Sequence, residues 1–239
     1  MVPETWSAWA VRRRNVLIFG GVLLIVSGTV ALRLRRQHLA ELPGIAEIGR
    51  IDGLIALDAG EFAKAKPILL RAARAVDEMG GEYEGAEEIR QGAREAALFA
   101  DLVPESLETI LDEAGSRDSQ ADWQKRFETL YRGRSIILDA QIAAVPAEGS
   151  PKSAYDLDYR VYFGRGPKPT GRGRVDLSGF ELFELSKPKL GDQVRFGARL
   201  KAITSDESSG DWVISLEPES GAFITHESAL TSLGWPSGE

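Results

Sequence analysis

Near Arg132-Gly133-Arg134 the spacing of apolar residues changes from the interval of an amphipathic helix to strict alternation, which limits the chain to helices first and strands after. Upstream, Ile48, Ile51, Leu54 and Ile55 share one stripe, and Phe62, Ala65, Leu69, Ala72 and Val76 share the next. Ile89, Ala93, Ala96, Ala97 and Ala100 follow, then Leu107, Ile110 and Leu111 behind Pro104, then Trp123, Phe127, Leu130 and Tyr131. Downstream, Ile136, Leu138, Ala140 and Ile142 alternate with other residues, and every odd position of Tyr155–Phe163 is apolar. Arg174–Leu185, with Gly179 as a bulge, Gln193–Ile203, Asp211–Leu216 and Ala222–Thr225 complete the strand candidates. The fold class expected is α+β, with a helical module over 41–116, a connecting helix over 120–131 and a small antiparallel β-barrel or sandwich over 132–233. Residues 1–14 form a short basic tail and 234–239 a second tail.

Asn15 to Leu32 carries no charge and is fenced by Arg12, Arg13 and Arg14 before it and Arg33, Arg35 and Arg36 after it. An apolar run of this length suits a transmembrane helix over 15–32, so the sequence predicts a single-pass membrane protein. A buried core helix and a cleaved signal peptide are the weaker alternatives. Three arginines flank each side, so orientation leans only on the cost of translocating the short basic end. That places the N-terminus in the cytoplasm and the bulk outside it.

Charge divides the chain further. Residues 1–40 carry +5, residues 41–131 carry −10, residues 132–201 carry +5 and residues 202–239 carry −7. Blocks of alternating sign mark modules with different surroundings.

The run Gly53, Gly60, Phe62, Ala65, Leu69 and Ala72 resembles one tetratricopeptide repeat over roughly residues 46–79. The resemblance implies that a small residue lets two antiparallel helices approach, that Gly60 ends the first and that Phe62 opens the second. Gly49 and Asp52 stand where an aromatic and a leucine are usual, Asp77 where a proline is usual, and Pro67 interrupts the second helix. No second copy follows. The family binds other proteins, so the resemblance implies protein partners, here expected at the membrane. The strand count and lengths of the C-terminal part also resemble an OB-like barrel.

Chemistry is scarce. With no cysteine and only His38 and His226, the chain has no thiolate zinc site and no multi-histidine metal site, and neither metal nor cofactor is expected. No serine sits in a nucleophile elbow, so no enzyme is expected. His226 beside Glu227 reads as a surface pair, and Asp156 and Asp158 beside Arg160 as a wet charged face. Arg165, Lys168, Arg172 and Arg174 form a basic loop without an acid, a candidate anion contact. Lacking interleaved aromatics, it disfavours nucleic acid. The expectation is a non-catalytic, membrane-anchored interaction or scaffold protein. The alternative is a β-domain that binds nucleic acid, polysaccharide or lipid headgroups.

Overall fold

The computed structural model describes residues 32–116, 119–147, 155–164, 171–206 and 208–235. The expected membrane segment 15–32 lies outside them apart from Leu32, as do Arg165 and Lys168. Among the described residues no helix is long and apolar enough to cross a membrane. The first described helix instead carries Arg33, Arg35, Arg36, Glu41, Glu47, Arg50, Asp52 and Asp58. The single-pass architecture, the membrane contact and the localisation derived from them are corrected accordingly.

That helix, α1, runs over 32–58 and continues through Pro43 and Gly44, so it begins before the expected module boundary at 41. Its middle is a π segment, Gly49–Gly53, followed by an α-helical turn, Leu54–Asp58. Gly60, at φ +75°, reverses the chain into α2 (Phe62–Glu78), which continues through Pro67. Helix α3 (Ala86–Ala100) packs against α2. Closeness explains the glycines. A Cβ at Gly49 would collide with that of Ala72, and one at Gly53 would lie 2.6 Å from Leu69 Cγ.

The side of α1 that faces α2 is therefore the small-residue side: Leu42, Ala46, Gly49, Gly53 and Ala56 are buried. Ile48, Ile51 and Ile55, expected on the core stripe, are 61%, 48% and 63% exposed. Sequence periodicity found the helix and assigned the wrong face to the interior.

Helices α4 (Leu107–Gly115) and α5 (Gln120–Leu130) follow, each begun by a serine whose Oγ accepts a backbone N–H: Ser106 from Thr109 and Ser119 from Asp122, both at 3.2 Å. Both helices join the core of the sheet, Trp123 and Phe127 without solvent exposure. Trp123 Nε1 donates to the Ile203 carbonyl at 2.8 Å, so the buried indole leaves no polar group unmatched.

The sheet contains β1 (Ser135–Ala144), β2 (Asp156–Leu157), β3 (Arg160–Phe163), β4 (Gly171–Asp176), β5 (Gln193–Ser205), β6 (Trp212–Leu216) and β7 (Ala222–Phe223). Its order is β2-β1-β5-β6-β4-β3, with β7 also on β5. Two features overturn the antiparallel barrel and its OB-like likeness as fold class. The path ends at β2 and β3 without closing, and β4 pairs with β6 in parallel, Val175 opposite Ile214. The expected strand Tyr155–Phe163 splits into β2 and β3 because its charged residues build a corner. Arg160 donates to the Leu157 and Tyr159 carbonyls at 2.8 and 2.9 Å and to Asp156 at 3.0 Å. The segment after β4 is not one long strand either: Gly179 turns the chain at φ +71° into helix α6 (Glu181–Ser186). A last helix, α7 (Glu227–Ser232), returns to pack on the end of α1.

The glycine contact is testable. We expect Gly49→Ala to lower the unfolding free energy by about 2 kcal/mol through overpacking, despite the roughly 1 kcal/mol that alanine gains over glycine inside a helix. Adding Ala72→Gly should recover part of that loss in urea unfolding. Strictly additive losses in the double variant would remove the close-contact account.

Candidate functional site

The six repeat-like positions are spent on packing. Ala65, Leu69 and Ala72 have no solvent exposure and Gly53 is buried against Leu69. Gly60 makes the turn, and Phe62 lies with its ring 4.9 Å from that of Phe99. None of these side chains forms an open groove, so a partner would have to meet other residues of the same helices.

The described half of the basic loop is paired. Arg172 donates to Asp211 through Nε at 3.1 Å and Nη2 at 2.7 Å, and this guanidinium holds the Asp211 carboxyl below its ordinary range. Arg174 Nη2 lies 3.8 Å from Asp206. The hydroxyls of Ser208 and Ser209, at 2.7 and 2.9 Å, lower Asp206 to about 2, so it stays ionised. The sequence hid these partners because Asp206 and Asp211 lie more than thirty residues away and reach β4 only through its parallel pairing with β6.

A cleft of about 350 Å³ opens where α2 and α3 meet β5 and the turn Pro218–Ser220. Leu70, Ala73, Ala93, Ala97 and Leu98 form its apolar floor, and Arg90, Arg94 and Arg199 stand at its rim with Asp77 and Glu219. Arg90 is bound to Asp77 at 2.8 and 3.0 Å, and Arg199 reaches Asp101 at 3.3 Å, a carboxylate that it shares with Lys66. Arg94 donates to Gln91 at 2.9 Å and has no carboxylate partner among the described residues. No sequence pattern announces this cleft, since it assembles from segments more than a hundred residues apart.

Beside it lies a buried carboxylate. Glu95, on α3, has no solvent exposure. Its Oε1 accepts from Gln91 Nε2 at 2.7 Å, Thr225 Oγ1 at 2.6 Å and Thr225 N at 3.1 Å. Its Oε2 accepts from His226 N at 3.1 Å and lies 3.1 Å from His226 Nδ1. Gln91 also donates to the Phe223 carbonyl. His226 is thus the partner of a buried acid, and the expected surface pair with Glu227 is corrected. One sequence signal marked Glu95: it is the single acid between Gly92 and Phe99, on the buried side of α3.

Burial alone would raise the Glu95 carboxyl, yet the hydrogen bonds from His226, Thr225 and Gln91 prevail and hold it below its ordinary value. The bond to Glu95 raises His226 against the opposing effect of burial, with Asp58 and Glu88 adding to the rise. A depressed carboxyl contributes stability above its unfolded pKa and loses it as pH falls through the folded value. A raised imidazole contributes below its unfolded pKa and loses that as pH rises through the folded value. The pair therefore stabilises most between the ordinary values of 4.5 and 6.5.

The outer surface of α1 supplies a third feature. Ile48, Ile51 and Ile55 recur at the three- and four-residue spacing of one helical face, and all three are exposed. Glu41, Asp52 and Asp58 are exposed along the same helix.

We expect the stability difference between the parent chain and His226→Gln to peak near pH 5–6 and to shrink as the imidazole deprotonates. Glu95→Ala should cost about 3 kcal/mol, because Thr225 and His226 lose the acceptor for buried donors. Urea unfolding across pH 4 to 9 measures both, and a pH-independent difference for His226→Gln would show that the imidazole carries no charge in this pair.

No protein-family model matches the chain, and no curated protein matches it.

Proposed function

We propose that this chain is a non-catalytic protein-binding protein whose helical module meets its partner through the outer face of α1. The observation that carries this reading is the exposed row Ile48, Ile51 and Ile55. Three large branched apolar side chains exposed at helical spacing are the kind of surface by which one helix offers anchors to another protein. The resemblance to a tetratricopeptide hairpin supports the same class of function, although the recognising residues are not those of the repeat pattern. The open sheet acts as the platform that holds the module.

A photo-crosslinking amino acid at position 51, introduced in the cells that make the protein, tests this. We expect covalent capture of a discrete polypeptide, lost when Ile48 and Ile55 are both changed to serine. Capture that persists in that variant, or labelling that spreads over many unrelated proteins, would sink the reading.

The cleft supports a second reading, that the protein binds a small anion with an apolar body. Its volume is at the lower end for such ligands, and its apolar floor lies under Arg94, which no carboxylate neutralises among the described residues. The fluorescent probe anilinonaphthalene sulfonate has that chemistry. We expect it to brighten with the parent chain and to bind at least about tenfold less tightly to Arg94→Glu. An Arg94→Glu variant that binds the probe equally well removes this reading.

A further inference from the structure

We propose that the partner segment received by α1 is a basic amphipathic helix, docking along Ile48, Ile51 and Ile55 with cationic side chains against the acids on either side. This deepens the protein-binding reading and rests on it.

The geometry begins with the helix itself. Its inner face is filled by contact with α2, where Gly49 and Gly53 leave no space for a Cβ. Three branched apolar side chains consequently stand on the opposite side, at the spacing by which one helix presents anchors to another. Flat contact of two helices at this spacing buries such side chains between flanking polar positions.

Charge then selects the partner. Glu41 and Asp52 are exposed along the stripe, and among the described residues neither has a cation within salt-bridge distance, whereas Asp58 at the end of the helix accepts from Ser228 of α7. The cations nearby are committed elsewhere: Arg50 to Glu47 and Glu88, and Lys64 to Glu61 at 2.7 Å. The module from 41 to 131 has a net charge of −10, so its field attracts a basic segment before contact and repels an acidic one. An apolar anchor row between acids matches a helix with one leucine-like face and lysine or arginine flanks. The match is worse for the same region of a second copy, which would bring Glu41 and Asp52 towards like charges, although the arginines at 33, 35 and 36 offer that copy a basic end.

The test uses two labelled synthetic helices of about four turns, one built from leucine and lysine, the other from leucine and glutamate, titrated into the full chain by fluorescence anisotropy. The leucine–lysine helix should bind. Its affinity should fall at least about tenfold when Ile48, Ile51 and Ile55 are replaced by serine, and by a similar factor in Glu41→Lys/Asp52→Lys, with salt weakening the parent complex. All these positions are exposed, and unchanged urea unfolding of the variants confirms that the fold persists. Equal binding of the leucine–glutamate helix, no binding of either, or indifference to the charge reversals would overturn the partner class. Protein binding itself is decided separately, by crosslinking at position 51. Sedimentation adds the remaining outcome: a dimer of the parent chain, lost in the triple serine variant, would give the face to a second copy and overturn the proposal.

Discussion

Glu95 joins the helices to the end of the sheet. A fully buried carboxylate is costly unless its oxygens are matched, and here each oxygen receives donors from the Thr225–His226 segment. These bonds fix the chain between β7 and α7, so that α7 packs against the end of α1 and Ser228 donates to Asp58. Gln91 extends the same network to the Phe223 carbonyl on one side and to Arg94 on the other. The wall of the cleft and the end of α1 are therefore held through neighbouring side chains of a single helix, α3. Removing the acceptor would loosen both, whereas removing any one donor leaves the carboxylate others.

Much of this was legible in the sequence, with limits that have physical causes. The helical hairpin followed from apolar spacing, and Gly60, with its positive φ, from the glycine between two amphipathic runs. The face of α1 did not follow. Hydrophobicity alone points Ile48, Ile51 and Ile55 inward, but interhelical distance in this pair is set by Gly49 against Ala72 and Gly53 against Leu69. At that separation small residues exclude water as well as large ones and the isoleucines have no room. The row Ala46, Gly49, Gly53 and Ala56 carried the signal and was outweighed by the bulkier one.

The sheet shows the complementary limit. Alternation located the buried positions of Tyr155–Phe163 correctly: Leu157, Val161 and Phe163 are in the core. Alternation says nothing of partners, and β2 and β3 belong to opposite ends of the sheet. Arg160 divides them by occupying two backbone carbonyls that a continuous strand would offer to a neighbour. The long strand β5 has a different consequence. It pairs with β1 along one edge and with β6 and then β7 along the other, so the turn Pro218–Ser220 interrupts a single line of pairing. That interruption shapes the cleft wall, and no local pattern announces it.

The candidate surfaces were illegible for the same reason that the core was partly misread. Arg94 and Glu95 are adjacent in sequence, yet one stands at a cleft rim and the other is sealed beneath it. The Arg172 and Arg174 charges looked available until the parallel pairing of β4 with β6 brought Asp206 and Asp211 beside them. By contrast Glu41 and Asp52 are exposed on α1 with no cation within salt-bridge distance among the described residues, Arg50 being held by Glu47 and Glu88. The described fold leaves this apolar row exposed, beside acids that have no ion-pair partner among the described residues. The close glycine packing of α1 is thus the origin of its outer face: what makes the inner contact tight also turns the isoleucines outward.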